Sequence, residues 1–415
     1  MEKKVRSAVI GGGAAGMMAA ITAAREGTAV FLYEKNERVG KKLLATGNGK
    51  CNFSNRDLRI ECYHGEDRER AWQILSEFDT EAAIAFFEEA GMMVKDKNGY
   101  LYPASGQAST VLDTLRLLLK KERVAVRSGC PVLHIAREKD GRIRVDTQNE
   151  RQVYDRVIIA CGGKAAPKTG SNGDGYRLAA LAGHTLTPVV PALVQLHCGE
   201  TYLRACAGVR TEARLTLVEN RKPVAKERGE LQFTEYGISG IVVFQLSRMA
   251  AYGLLQKKKM EMYIDCLPGY SAEAYADFIK RRKSGSPAET VEEFFTGMLN
   301  KKLMLLFIKL AGLKPTDSYE RAEEAKIDIV FSLCRRLVLS ISGYGTFEQA
   351  QVCAGGIPLR EVSPSLESHF WKNLHMAGEM LDVDGICGGY NLQWAWASGY
   401  VAGKSAAKGE PNDSN

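Results

Sequence analysis

No two of the ten cysteines stand in the C-x-x-C spacing of zinc or thioredoxin-type sites. No metal is expected, and the plain reading is reduced thiols of a cytoplasmic protein. No uninterrupted apolar stretch reaches the roughly 18 residues of a membrane span, so no membrane association is expected. An excess of one charge is scarce too: 56 Lys and Arg against 49 Asp and Glu leave +7, and the densest basic run is Lys257 to Lys259. No long basic stripe with interleaved aromatics occurs, so nucleic acid is not expected as a partner. There is no internal repeat, and the only low-complexity text is the polar tail 408–415, which is expected to fray. What remains is a chain of 415 residues, 45% hydrophobic and 25% charged. That is the composition of a soluble globular protein, with two or three domains at roughly 150 residues each.

Glycine is what the sequence has in excess, 41 residues gathered in short loops between apolar runs. The first such loop decides how the N-terminus is read. A basic start followed by apolar and small residues imitates a secretion signal, but three consecutive glycines would break the helix of its apolar core. The same letters make sense as strand (Arg6 to Ile10), turn (Gly11 to Gly16) and Ala/Met-rich helix (Met17 to Arg25), followed by a second strand, Thr28 to Glu34, that closes on an acid. Gly11, Gly13 and Gly16 then fit G-x-G-x-x-G in the context a dinucleotide requires. Gly11 permits the turn, Gly13 lets a pyrophosphate approach the N–H groups around Ala14 and Ala15, and Gly16 lets the helix lie close to the strand. Glu34, 18 residues after Gly16, is placed to accept from a ribose hydroxyl pair, which favours FAD or NAD over NADP.

Further along, Val39 to Asn55 has too many Gly, Asn and Ser residues after Thr46 to continue as helix and reads as a long functional loop. Packing helices are expected at Thr80 to Ala90 and Ser109 to Lys121, then short strands up to Gly162-Gly163. The proline-bearing text Leu186 to Leu196 marks a boundary near residue 190. Short strands with turns such as ENRKP are expected from there to about Arg248, a helical region between Ser271 and Leu313 with a capping box at Thr290 and Glu293, and a strand-like segment around Lys326 to Ile341. The C-terminal text returns to strand, glycine loop and helix, so both ends share one domain. Gly388-Gly389, followed by a helix-compatible run from Tyr390 and Asn391, gives a second helix N-terminus suited to negative charge on a bound cofactor.

Single residues carry less. Cys51 has no resolving partner nearby and reads as a small buried group rather than a redox thiol. His64, His184 and His197 read as surface or core histidines. Lys41 and Lys42 could set positive charge beside a phosphate or flavin, as Lys35 after the acid could, and Tyr102 and Tyr390 could line a pocket.

The stretches VIGGGAAGMMAA, GKKLLATGNGKCNFSN, GYLYPASGQASTVLDTL, IIACGGKAAPKTGSNGDGYRLAALAGH, GELQFTEYGISG and AGEMLDVDGICGGYNLQWAWASGYVAG resemble those of the bacterial BaiN-type FAD-dependent oxidoreductases, also called the aminoacetone oxidase family. The resemblance runs from residue 8 to about 404. It implies an α/β fold: a Rossmann-type, two-dinucleotide-binding-like FAD domain carrying an inserted β-barrel-like domain and a small helical domain. Placed on this sequence, the FAD domain takes 1–189 and 344–415, the β domain 190–248 and 326–343, and the helical domain 249–325. The resemblance lays Thr46, Gly47, Asn48, Gly49, Cys51 and Asn52 along the flavin, Val132 on the adenine side, Ala160, Gly162 and Gly163 near the cofactor, and Gly378, Glu379 and Asp382 at the ribityl-phosphate region. Three positions depart from the family's usual text: Glu235 stands where His is common, Ile241 where Pro is common, and Cys387 where Thr is common.

Only one complete G-x-G-x-x-G unit is present, so NAD(P)H should visit as a transient donor beside resident FAD. The expected reaction is hydride transfer through flavin N5 between a small or steroid-sized organic substrate and NAD(P)H or oxygen. A reductase of a conjugated carbonyl, an amine or aminoketone oxidase that makes hydrogen peroxide, and a flavoprotein acting on RNA remain as alternatives, with no catalytic side chain assigned. The substrate is expected to enter between the FAD domain and the inserted domains.

Overall fold

The computed structural model describes residues 4–408. The tail expected to fray lies outside them except for Lys408, where the last helix ends. The chain divides into two compact units, 1–190 with 351–415, and 191–350.

In the first unit, five parallel strands form the central sheet. They are β1 (Arg6–Ile10), β2 (Ala29–Tyr33), β3 (Ala125–Arg127), β4 (Arg156–Ile159) and β5 (Leu374–Met376), in the order β5-β4-β1-β2-β3. Val9 pairs with Leu32 on one side and Ile158 on the other. β1, β2 and β4 are apolar at nearly every interior position, as expected of strands covered on both faces, whereas the edge strand β3 is exposed. The chain leaves β1 toward β2 on one side and takes up β4 on the other, so the loops after β1 and β4 flank a topological switch point, where open α/β sheets bind ligands.

Two helices pack against each other beside this sheet, α1 (Ala14–Arg25) and α2 (Tyr390–Lys408). Their closeness depends on two missing side chains: a Cβ on Gly399 would lie 2.4 Å from the Ala15 carbonyl oxygen, and one on Gly403 would lie 2.5 Å from that of Ala19. The two ends of the chain meet here.

The second unit is a closed six-stranded antiparallel barrel: Leu196–Cys198, Gly237–Ser239, Lys222–Thr234, Arg210–Glu219, Met260–Asp265 and Leu337–Tyr344 in spatial order. The ENRKP turn joins its two longest strands through Asn220 and Arg221, both at positive φ (47° and 70°), the twist that two-residue hairpins favour.

Four expectations change here. The short strands expected up to Arg248 are strands of 10 and 13 residues followed by a helix, Ile241–Leu255. Met260–Asp265, placed by sequence in the helical segment 249–325, is a barrel strand between Arg210–Glu219 and Leu337–Tyr344. The strand-like segment from Lys326 is mostly helix, Glu324–Arg335, because Ile327, Val330, Phe331 and Cys334 share one buried helical face; the strand starts only at Leu337. The capping box at Thr290 and Glu293 is present, but its helix spans only Val291–Phe295. Gly297 at φ 89° and the Asn300 cap then restart the chain as Lys301–Leu310. The helices and the barrel bury one continuous apolar core, so the residues 249–325 do not have a core of their own.

Candidate dinucleotide site

The site begins where β1 ends. Gly11, at φ 107°, donates its N–H to the Tyr33 carbonyl (2.8 Å), and a Cβ there would lie 2.5 Å from the Ala160 carbonyl oxygen, so only glycine lets the loops after β1 and β4 meet. Gly16 has no room either, since a Cβ would lie 1.8 Å from the Gly11 oxygen. Gly13 is the opposite case: a Cβ would meet nothing within 4 Å. Gly13 is also the N-cap of α1, and no side chain caps this end and no acid stands in its first turn. The first turn of α1 therefore carries helix-dipole charge with no side-chain cap and with open space beside Gly13, the setting in which a phosphate binds.

Glu34, 7% exposed, ends the second strand segment beside this opening. Its Oε2 accepts from Gly12 N–H (2.8 Å), and its Oε1 accepts from the N–H and side-chain amide of Asn36 (2.8 and 2.7 Å). A carboxylate offers roughly four acceptor positions. Three are filled by groups that fix its orientation, which leaves capacity for a hydroxyl. Val132 is buried, and two residues before it Cys130 N–H donates to the Glu34 carbonyl (2.9 Å). Lys35 is turned elsewhere, to Asp174 and Asn172 (2.7 and 2.6 Å).

On the other flank, a Cβ on Gly378 would lie 2.8 Å from the Ala15 methyl, so this loop sits against the start of α1. Gly378 is held by α2: its N–H donates to Ser398 Oγ (2.9 Å) and its carbonyl accepts from Trp394 Nε1 (3.1 Å). Glu379 accepts from Lys42 Nζ (2.7 Å) and from Cys353 N–H (2.9 Å), tying the 40s loop to the loop after β5. Gly162 and Gly163 follow Ala160; a Cβ on the first would crowd Ser171 Oγ (2.9 Å) and on the second Cys353 Sγ (3.0 Å). Asp382 is buried and accepts from Glu66 N–H (3.4 Å).

The 46–52 loop splits into an outer and an inner part. Gly47, Asn48 and Gly49 are exposed, with the first two in left-handed backbone. Thr46 Oγ1 donates to the Leu43 carbonyl (2.6 Å), and its own carbonyl accepts from Cys51 N–H (3.0 Å). Cys51 is fully buried, and burial pushes its thiol up to about 12. Asn52 Oδ1 is buried with no hydrogen-bond partner among the described residues. A Cβ on Gly389 would lie 3.0 Å from that oxygen and 2.5 Å from the Ser54 carbonyl, and Asn55 Nδ2 donates to the Gly388 carbonyl (2.9 Å). Tyr390 and Asn391 are committed to building this corner: the Tyr390 hydroxyl donates to the Asp57 carbonyl (3.0 Å), and the Asn391 amide both accepts from and donates to Gly385 (2.8 and 2.7 Å).

The two glycine corners are offset from each other along α2. Ala15 abuts α2 at Gly399, nine residues beyond Tyr390, so at 1.5 Å rise per residue the start of α2 lies about 14 Å further along. The uncapped start of α1 lies at one place, and the Asn52–Gly389 corner with its orphaned oxygen at another. An extended dinucleotide matches such a pair. FAD therefore fits the residues present: an uncapped helix start beside glycines at α1 and an orphaned buried oxygen at Asn52.

Sequence reasoning missed Asn55, Trp394, Ser398 and Cys353, which hold these loops. Asn55 closes the same amide-rich run as Asn52 and could have been found there, whereas Cys353 sits in apolar text that gives no local signal. Among the described residues no group of three His, Cys, Asp or Glu could hold a metal ion, and no helix is long and apolar enough to cross a membrane.

Against known proteins, the family model described as "HI0933-like protein Rossmann domain" matches residues 5–405. A relative named 3-dehydro-bile acid delta(4,6)-reductase, from Clostridium scindens, is 43% identical over 97% of this chain and 99% of its own length. A ribosomal RNA dihydrouridine synthase from Haemophilus influenzae is 26% identical over 98% of this chain and all of its own. Among solved structures, a 3-ketosteroid-delta4-(5alpha)-dehydrogenase from Rhodococcus jostii RHA1 is similar with a TM-score of 0.49 at 16% identity, covering 99% of this chain and 98% of that one. A parallel sheet with a glycine-built switch point, matched along nearly its whole length, identifies the chain as a member of the HI0933-like Rossmann-domain family.

Proposed function

We propose that the chain is an FAD-dependent oxidoreductase that reduces a carbon–carbon double bond conjugated to a carbonyl in a steroid-sized ketone, with NAD(P)H as a transient donor. The observation that carries the reading is the 43% identity, over 97% of the chain, with a relative named as a bile-acid reductase. Bound FAD would supply the two-electron redox centre, passing hydride through N5. The chain's own residues supply the rest. The N–H groups of Ala14, Ala15 and Gly16 offset pyrophosphate charge while Gly11 and Gly13 give the approach. Glu34 orients a ribose. Lys42, fixed by Glu379, sets a cation beside Gly162 and Gly378. Gly388 and Gly389, with the start of α2, hold a helix dipole where charge develops on a reduced flavin. Thr46 to Asn52, Val132, Ala160, Gly163 and Asp382 complete the walls. Lys35, Tyr390 and Asn391 shape the loops around the cofactor. A cytoplasmic location, suited to ten free thiols, belongs to the same proposal.

A second reading has the relative at 26% in its favour: uridine, like an unsaturated ketone, carries a C=C conjugated to a carbonyl, so reduction of ribosomal RNA is the same chemistry on another substrate. Anaerobic stopped-flow separates the readings. Bleaching of the flavin by NADH or NADPH, followed by reoxidation on mixing with a 4,6-diene-3-ketosteroid, is the expected result. Bleaching by amines alone, with peroxide on exposure to oxygen, would replace it with the oxidase. Reoxidation by ribosomal RNA and not by the steroid would establish the RNA reading.

A further inference from the structure

The second unit has a feature that the proposed reaction does not use. The helix Lys301–Leu310 is amphipathic and capped by Asn300, whose side chain accepts from Lys302 N–H (3.0 Å). Its inner face buries Leu303, Met304, Phe307 and Ile308. Lys302, Leu305, Leu306 and Lys309, at spacings of three, four and seven, border the flank beside it. After the helix the chain turns back through Gly312, and Asp317 Oδ2 accepts from Lys314 N–H (2.8 Å), which brings Lys314 to the third corner. The result is a depression of about 410 Å³ with Leu305, Leu306 and Leu313 in its wall and Lys302, Lys309 and Lys314 at its edge. That volume falls within the range of small-molecule sites.

No acid stands in its lining. The adjoining depression, which shares Lys302 and Leu305 and adds Lys301 and Arg210, has none in its lining either. Lys301 and Arg210 are already paired, with Glu292 (2.7 Å) and Glu230 (3.0 Å). Lys302, Lys309 and Lys314 have no ion-pair partner among the described residues, and all three are exposed. Three unneutralised ammonium groups around apolar walls attract negative charge, while the leucines favour an apolar body over water.

We propose that this depression is a binding site for an amphipathic organic acid, with its apolar body on Leu305, Leu306 and Leu313 and its carboxylate among Lys302, Lys309 and Lys314. Leu306 and Leu313 already form a buried floor and Leu305 is half-buried, so a plain anion would leave Leu305 wet, and an uncharged lipid would leave the lysines unneutralised. The site does not depend on which conjugated substrate the chain reduces.

Calorimetric titration of the full-length flavoprotein tests it, with dodecanoate below its micellar concentration as the probe and dodecanol, inorganic phosphate and duplex RNA as comparisons. Dodecanoate should bind at least tenfold more tightly than dodecanol or phosphate, and 0.5 M salt should weaken it. The triple variant K302A/K309A/K314A should weaken it about tenfold or more with flavin content unchanged. L305D, which keeps the lysines and places a carboxylate in the wall, should do the same. Unchanged dodecanoate binding in both variants would overturn the proposal, as would phosphate binding as tightly as dodecanoate. RNA displacing the probe in a lysine-dependent way would replace it with a nucleic-acid surface.

Discussion

The two units bury apolar cores of similar character but offer ligands different things. The first offers backbone: its openings exist because Gly11, Gly16, Gly378 and Gly389 stand where a Cβ would strike a neighbour, and its charge comes from peptide N–H groups at a helix start. The second offers side chains: three lysines over leucines, on the helix Lys301–Leu310 and the turn after it. A backbone site fixes the distances of approach and tolerates little substitution. A site of exposed lysines tolerates much and reads charge and greasiness more than shape.

That contrast is broken most severely at Gly16. The side chain of G16V would start 1.8 Å from the Gly11 oxygen, and α1 could not keep its place against β1. A cost of about 3 kcal/mol is expected, as for overpacked cores. Visible absorbance of the purified protein should show less than a tenth of the normal flavin, whereas dodecanoate titration of the second unit should be little changed.

Acid should also separate the units. Burial lowers the pKa of His184 despite its bond to Glu361, and burial, with Arg156 nearby, takes His375 down to about 3. Burial would raise Glu361, but the Thr185 hydroxyl and amide and then His184 outweigh it and hold that carboxyl low. All three folded values are depressed, so the unfolded chain binds protons first and the stability they contribute is lost as pH falls, from about 6.5 for the histidines and about 4.5 for the acid. All three lie in the first unit, while the second holds only His197 of the six histidines. All four tryptophans are in the first unit as well. Tryptophan emission should therefore change between pH 6.5 and 3 before hydrogen exchange in barrel amides accelerates, and H375Q should flatten the early change. E361Q leaves His184 and Thr185 with a weaker acceptor and should lower stability by about 2 kcal/mol at pH 7, seen in denaturant unfolding followed by the same emission.

The first unit was also the more legible in sequence, for the same reason. Such backbone writes itself as glycine spacing, so the strand, turn and helix around Gly11 to Gly16 and the helix start after Gly388-Gly389 could be read directly. The residues that hold those loops, such as Cys353 and Ser398, act through contacts between distant parts of the chain and leave no local trace. In the second unit the segment Lys326 to Ile341 reads as strand in sequence because Ile327, Ile329, Val330 and Phe331 favour β structure, although the spacing of its buried face is helical over Glu324–Arg335. Met260–Asp265 was lost among helices because a strand's partners, not its neighbours in sequence, place it in a barrel.

A smaller break falls at Glu379, a side chain that supports a backbone site. E379Q keeps an acceptor for Cys353 N–H but loses the charge opposite Lys42. Flavin should dissociate about tenfold more readily, a loss of about 1 to 2 kcal/mol for a partly shielded charged hydrogen bond. Fluorescence of released flavin on dilution measures it.

The smallest effect is expected at Cys51, although it sits in the loop beside Asn52. Its thiol is fully buried and raised to about 12, so at neutral pH there is almost no thiolate to act as nucleophile or redox partner. What the side chain supplies is volume, in a residue at φ 54° that alanine can adopt. C51A should cost about 1 kcal/mol in denaturant unfolding, the price of a small cavity. Anaerobic flavin reduction by NAD(P)H and reoxidation by the conjugated ketone should keep their rates within about twofold, a ΔΔG‡ of about 0.4 kcal/mol. A hundredfold loss in either step, with flavin still bound, would put a side chain at the reacting centre of a site otherwise made of backbone, and the contrast between the units would fail there.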